Sequence, residues 1–444
     1  MQMRTERDIL GEMTLPGDTL YGINTARAID NFQLKGKTVN PLLIKGMLTV
    51  KKAAALTYAQ IGVRPDIYRA AAAACDELLS GAFAGAFPTQ ALQGGAGTST
   101  NMNVNEVIAN LALIHSGHHP GEYDVIHPLD DINRGQSTND VYPTALRIAA
   151  IWQLRELSDA CASLQQALQQ RENEFDSIHK LGRTELMDAV PIRLGEEFGA
   201  YAQAIARDRW RLYKVEERLR QVNIGGTAVG LTGKQGRQYR FGIIEKLREL
   251  TGIGLAAAEY PMDVTQNQDI FVEVSGLLKA LAVNLMKIAG DLRLMNMGPG
   301  GGLSEIRLRP VQQGSTVMPG KVNPVIPEMV MQCAIRVIAN DTAVTMAAGH
   351  GEFELNAFLP LIADALLESL QLLTGAVHTF REKCILTLSA DEENCRRHLD
   401  ESYAFAAEYL PALGYDTVAA VVHDHSPGDA RLLLQAMVKA KENK

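Results

Sequence analysis

The sequence is poor in the residues that mark several protein classes. Its 444 residues include five cysteines, and aromatic residues make up 6%. Cys75, Cys161, Cys333, Cys384 and Cys395 are scattered, with no Cys-x-x-Cys and no Cys/His pairing at metal-ligand spacing. That pattern argues against a disulfide framework and predicts reduced thiols in a cytoplasmic protein. The scarcity of aromatics, with Trp152 and Trp210 the two tryptophans, argues against an all-β sandwich or a carbohydrate-stacking surface. Basic excess is absent too. Lysine and arginine number 43 against 51 acidic residues, a formal net charge of −8, so nucleic acid is not the expected partner. No uninterrupted apolar run is long enough to predict a membrane span. The opening MQMRTERDILGEM is charged throughout and has no apolar core, so no signal peptide is expected.

Cofactor signatures are missing as well. The glycines of GPGGG (298–302) follow no strand pattern, which argues against a dinucleotide fingerprint. Gly314 to Lys321 does not fit the phosphate-loop spacing. There is no HExxH, and His115, His118 and His119 lie close together without a cysteine or a clustered carboxylate. A solvated surface loop is the expectation there. Neither an organic cofactor nor a metal is expected.

What the chain does contain is helix. Hydrophobic residues make up 46%, and the apolar positions recur at spacings of three and four. Leu146, Ala150, Leu154, Leu157, Cys161, Leu164 and Leu168 form one stripe of a long helix after Pro143. Val274, Leu278, Leu281, Leu285, Ile288, Leu292 and Met295 form a stricter seam. Between them stand Ala280, Ala282, Val283, Met286 and Ala289. A helix apolar on more than one face must be buried on more than one face, which predicts the centre of a bundle at a subunit interface. Further helices are predicted from 41 to Gly62, from Pro65, and over about 191–222, 237–252, 325–348 and 357–382. The first forty residues read as irregular. The expected fold is all-α with a minor hairpin. Its expected divisions are a mostly helical N-terminal domain over 1–140, a central long-helix bundle over 141–390 and a small helical domain over 391–444.

Four short segments interrupt this texture with dense Ser, Thr, Asn and Gly. They are GGAGTSTNMN (94–103), INRGQSTNDVYP (132–143), LGRTELMDAVP (181–191) and GSTVMPGKVNP (314–324). Each reads as a loop. Helix capping needs one such residue per helix start, so runs such as Thr98-Ser99-Thr100-Asn101 exceed that need. Hydroxyls and amides beside helix N-termini suit a carboxylate, because free N–H groups and the helix dipole favour an anion. Lys321 and Asn323 complete an inventory suited to a small acidic substrate.

GSTVMPGKVNP resembles the signature loop of the aspartase/fumarase superfamily, whose pattern is GSSxMPxKxNP. The other three segments are similar to further motifs of that superfamily, in the same order, and the likeness runs from about residue 8 to about 390. Asn323 to Glu328 and VIANDTAVTMAAGHG (337–351) resemble the aspartase branch, whereas FELNAF (353–358) is closer to fumarases. The resemblance implies a three-domain fold whose central bundle forms the multi-helix core of a homotetramer, with sites shared between subunits. It implies a carbon–nitrogen lyase that eliminates ammonia from L-aspartate or a close analogue to give fumarate. It further implies Ser315 as the base, with Thr184 and the neighbouring Glu185 in the catalytic set. Thr98, Ser99, Ser137, Thr138, Asn139, Lys321 and Asn323 are then the substrate-binding residues.

Three departures stand out. Glu185 occupies a family position held by His or Gln. It would meet a dicarboxylate either protonated, beside Glu328, or as the recogniser of a cationic group on a substituted aspartate. Asn133-Arg134 replaces Asn-Lys. The tail after 390 is short and unlike the usual C-terminal domain. His127, which matches a second carboxylate site of fumarases, reads as structural. A fumarate hydratase, an amine lyase for substituted aspartates and a catalytically silent relative are the alternative readings.

Overall fold

The computed structural model describes residues 3–231 and 236–442. Its architecture is helical, as expected, with strands confined to two-stranded pairs among the described residues. The N-terminus corrects the expectation of irregular structure. Strands β1 (Met3–Asp8) and β2 (Gly11–Pro16) pair as an antiparallel hairpin ahead of helix α1 (Ile23–Asn31). Helix α2 (Pro41–Gln60) starts with Pro41 behind Asn40, whose side chain accepts the Leu42 N–H at 3.0 Å. Helix α3 (Pro65–Leu79) follows.

Two of the polar segments prove to be helix starts rather than loops. Helix α4 spans Thr98–His115 and helix α5 spans Thr138–Glu174. At α5 the Ser137 hydroxyl accepts the Asn139 N–H at 3.2 Å, while the Asp140 carboxylate accepts the Ser137 N–H at 2.9 Å. This is a reciprocal capping box, and it starts the helix before Pro143. A third segment is a hairpin, β3 (His179–Thr184) with β4 (Met187–Arg193).

The remaining elements follow the apolar spacing closely. They are α6 (Leu194–Leu219), α7 (Gly236–Thr251), α8 (Pro261–Gln266), α9 (Asp269–Met295), α10 (Val325–Ala348) and α11 (Leu359–Phe380). Short strands β5 (Gln221–Val222) and β6 (Ala256–Ala257) pair in parallel; β7 (Ile306–Arg307) pairs with β8 (Ser389–Ala390) antiparallel. The tail forms α12 (Glu392–Asp400), α13 (Leu410–Leu413), α14 (Tyr415–Asp424) and α15 (Pro427–Glu442), with a small core of Phe405, Val418, Val421, Ala430 and Leu434. Helix α11 begins a segment apolar enough by length and composition to cross a membrane, but 67% of that window is buried within the protein. The five cysteines are free thiols.

The chain divides into two compact units. Unit 1 comprises Met1–Ser158, Arg211–Lys279 and Arg336–Leu372; unit 2 comprises Asp159–Trp210, Ala280–Ile335 and Leu373–Lys444. The predicted seam of α9 is buried from Val274 to Met295. Val283, on another face of the same helix, is 46% exposed.

Unit 2 is organised around a buried acid. Glu305 is fully buried, and Lys180 of β3 lies 2.7 Å from one of its oxygens. Arg183 at 2.8 Å and His398 at 3.2 Å meet the other. Lys180 also pairs with Glu197 of α6 at 2.9 Å. One carboxylate thus ties the hairpin and α12 to the start of β7. Burial alone would raise the Glu305 pKa, but Lys180 and Arg183 overcome it and hold the group below the ordinary carboxylate value. Replacing Glu305 with Gln leaves the part-buried Arg183 without its acid and the buried Lys180 with Glu197 alone. It should cost about 3–5 kcal/mol, read as an earlier chemical denaturation midpoint.

Candidate active site

Unit 1 brings five of the predicted substrate residues to two adjacent helix beginnings. Thr98 and Ser99 open α4, and Ser137, Thr138 and Asn139 open α5. The ends touch: a Cβ on Gly97 would collide with the ring of Tyr142 on α5, and Gly97 also sits at φ +92°. Only glycine allows that approach with that backbone. Thr98 is exposed and its hydroxyl donates to Gly95 O at 2.6 Å. Several first-turn N–H groups are already bonded, Thr100 to Gln93 Oε1 at 3.1 Å and Asn139 to Ser137 Oγ at 3.2 Å, so these ends offer an anion mainly their side chains and the helix dipoles.

Beneath these ends lies a polar layer that the sequence reading did not single out. The side-chain oxygen of Asn133 accepts Lys51 Nζ at 2.9 Å, Asn101 Nδ2 at 3.1 Å and Asn105 Nδ2 at 3.2 Å. Arg134 keeps its position in the turn through its carbonyl, which accepts Tyr58 Oη at 3.1 Å. Asp140 is completely buried and accepts three backbone N–H groups, those of Ser137 at 2.9 Å, Gly225 at 3.1 Å and Thr227 at 2.9 Å. Two sequence signals pointed here: the Ser137-x-x-Asp140 spacing, and Pro143 four residues after Asn139. Proline has no N–H, so the Asn139 carbonyl lacks its helical partner. The Asn223 side chain supplies one instead, at 3.0 Å.

Unit 2 holds the signature segment as a closed loop between β7 and α10. Asn323 Nδ2 donates to Gly314 O at 3.0 Å, joining the two ends of the loop. A Cβ on Gly314 would overlap the Lys321 carbonyl, so the loop closes only with glycine there. Ser315 Oγ accepts two backbone N–H groups, from Val317 at 3.2 Å and Met318 at 2.9 Å. Two donors aimed at one hydroxyl oxygen favour its deprotonated form. Val317 and Met318 are exposed at the tip, and Lys321 is exposed with no ion pair among the described residues. A cavity of about 950 Å³ adjoins the loop, lined by Lys321, Asn323, Glu328, Arg293 and Arg307 among others.

Thr184 and Glu185 stand at the tip of the β3–β4 hairpin. Thr184 faces Met187 in register, and Glu185 and Leu186 make the two-residue turn with φ of +53° and +65°. Such a turn favours Asn-Gly, so Glu-Leu is held there under strain. Glu185 lines a different cavity, of about 370 Å³, from the one that holds Glu328. Glu328 lies 3.7 Å from Arg293. His127 caps the short turn Pro128–Ile132, accepting from Leu129 and Asp130 N–H. In the fumarase-like FELNAF stretch, the buried Asn356 donates to Ala347 O and Ala348 O at 3.0 and 3.1 Å and accepts Phe358 N–H. Capping accounts for that asparagine.

The sequence matches the family described as Lyase over residues 11–339. It is 44% identical over 419 residues to an aspartate ammonia-lyase of Corynebacterium glutamicum, covering 94% of this chain and 80% of that protein. It is 42% identical over 440 residues to an aspartate ammonia-lyase of Helicobacter pylori, covering 98% and 94%. Among solved structures, a class II fumarase of Schistosoma mansoni superposes with a TM-score of 0.93 at 29% identity, covering 98% of this chain and 96% of that one.

The polar layer under α4 and α5 carries a pH signature. Burial pushes the Asp140 carboxyl up to about 7, against the pull of its three N–H donors and Lys51. Burial pushes the Lys51 ammonium down to about 7. The folded state keeps the Asp140 proton that the unfolded chain releases near pH 4, so stability falls as pH rises from about 4 to about 7. It lacks the Lys51 proton that the unfolded chain still binds, so this contribution rises with pH from about 7 to about 10. Denaturation curves across pH should show both limbs. Asp140→Asn should remove the acid limb and Lys51→Met the alkaline one.

Proposed function

The chain belongs to the aspartase/fumarase superfamily, and on that premise we propose that it is a carbon–nitrogen lyase that eliminates ammonia from L-aspartate to give fumarate. The identity of 42–44% to aspartate ammonia-lyases over nearly the whole chain, against 29% to the fumarase, favours an amino leaving group over a hydroxyl. The observation that carries the chemistry is the Ser315 turn. Its hydroxyl oxygen receives two backbone N–H groups in an exposed loop shared with Lys321 and Asn323.

In this reading Ser315 removes the Cβ proton of aspartate. The electron pair moves onto the neighbouring carboxylate as a doubly charged aci-carboxylate, then returns to form the double bond as ammonia leaves Cα. Such an intermediate needs preorganised donors more than it needs a strong base. Lys321 and Asn323 hold one carboxylate by charge and amide contact. Thr98, Ser99, Ser137, Thr138 and Asn139 serve the rest of the substrate with hydroxyls, amides and helix N-termini. Thr184 joins them from the hairpin tip.

The same reading includes a homotetramer whose sites combine segments from different subunits. An open second face on α9 supports it. Val283 is exposed, and Gly276 and Gly290, seven residues to either side, have free space where a Cβ would stand. Heptad-spaced small residues of this kind suit close helix packing between chains.

Two experiments test these statements. Ser315→Ala should lower kcat for fumarate formation by about 10²–10⁴-fold, with KM little changed, followed by the ultraviolet absorbance of fumarate. Malate turnover without aspartate turnover in the unaltered protein would overturn the assignment. Val283→Lys should shift the assembly to smaller species in size-exclusion chromatography with light scattering, with activity lost alongside. A variant that stays tetrameric removes α9 from the interface.

A further inference from the structure

The first turn of α5 is anchored from outside its own helix. Asp140 is completely buried, and its two oxygens face different segments. One accepts the Ser137 N–H at the start of the helix, and the other accepts Gly225 and Thr227 N–H from a separate loop. Two more bonds join the same pieces. Asn223 Nδ2 donates to the Asn139 carbonyl at 3.0 Å, and Asn139 Nδ2 donates to Ala228 O at 2.8 Å. The loop is shaped for this grip. Thr227 adopts φ +55°, a conformation rare for a β-branched residue, and its N–H is aimed at Asp140. A Cβ on Gly226 would meet the Asn223 carbonyl at 2.9 Å, and one on Gly230 would collide with the backbone of Met262.

Pro143 explains why an outside anchor is needed. It removes the helical donor to Asn139 at the turn that carries Ser137, Thr138 and Asn139. An unanchored first turn frays, and misplacing a binding group by about 1 Å can cost about 10²-fold in rate. We propose that Asp140, together with Asn223, is a positioning residue of the substrate site: it clamps the Ser137–Asn139 turn to the Asn223–Ala228 loop and so sets where the side chains of that turn meet a dicarboxylate. The proposal rests on the reading of Ser137–Asn139 as substrate-binding. It adds the loop Asn223–Ala228, which contacts no proposed catalytic side chain other than Asn139, to the machinery that determines affinity.

The clamp has an isosteric test. In Asp140→Asn one carboxylate oxygen becomes an amide that cannot accept, so one of the two segments is released. Asn223→Leu releases the Asn139 carbonyl without touching Asp140. Succinate, an unreactive dicarboxylate, is titrated calorimetrically into the full-length protein and each variant, well below its melting temperature. Aspartate kinetics and melting curves are recorded in parallel. Both variants should bind succinate about tenfold or more weakly and show a matching rise in KM, with kcat changed by less than about threefold. A folded Asp140→Asn that binds succinate within about twofold of the unaltered protein overturns the proposal, even if its melting temperature falls. If that variant does not fold, Asn223→Leu decides by the same criterion. Unaltered protein that turns over aspartate, with no loss of succinate binding in either variant, removes the clamp and leaves the lyase assignment intact. Protein that binds succinate through Asp140 but releases no fumarate from aspartate does the reverse.

Discussion

A buried carboxylate surrounded by N–H groups is the constraint on which the start of α5 in unit 1 depends. Asp140 sits where α5 begins, and three backbone donors converge on it. Burying a charge is costly unless hydrogen bonds replace its water. Here the replacement donors come from the very segments that must be held together. The Asn133 oxygen does similar work for α4, gathering Lys51, Asn101 and Asn105. At the hydroxyl-rich ends of α4 and α5, Thr98 is exposed, Ser99, Ser137 and Asn139 are half-buried, and Thr138 is buried.

Unit 2 meets the same problem with charge rather than with backbone donors. Glu305 is compensated by Lys180, Arg183 and His398. The contrast shows in the direction of the shifts: Asp140 is driven up by burial, and Glu305 is held down by its cations. From the Glu305 hub extend two segments with strained or exposed tips. One is the Glu185–Leu186 turn with both residues at positive φ; the other is the Ser315 loop with Val317 and Met318 in solvent. Functional residues are commonly carried on exposed loops positioned by a rigid scaffold.

The electrostatics follow from this division. A chain of net charge −8 attracts an anion only where it offers locally positive groups. Such groups are the helix N-termini in unit 1 and Lys321, unpaired among the described residues, in unit 2. Surface lysines that are paired elsewhere, such as Lys37 with Glu368, do not add to that field.

Apolar spacing alone determined the long helices, and the seam from Val274 to Met295 is buried where its period of three and four placed it. The four polar segments stood out from that spacing, and part of their polarity is structural: Asn101 and Asn103 are buried and bond to Asn133 and Ala86. Their local structure was less legible. Thr98 and Thr138 begin helices instead of lying in loops, and Thr184 ends a strand, because local bonds such as Ser137 with Asp140 and the pairing of Thr184 with Met187 order segments whose composition reads as loop. Asp140 and Glu305 read as ordinary acids in the sequence. Only the tertiary structure decided that both are buried and that each joins distant segments, because burial and hydrogen-bond geometry depend on which segments fold together. A charge's cost and use are set by that surrounding, not by its neighbours along the chain.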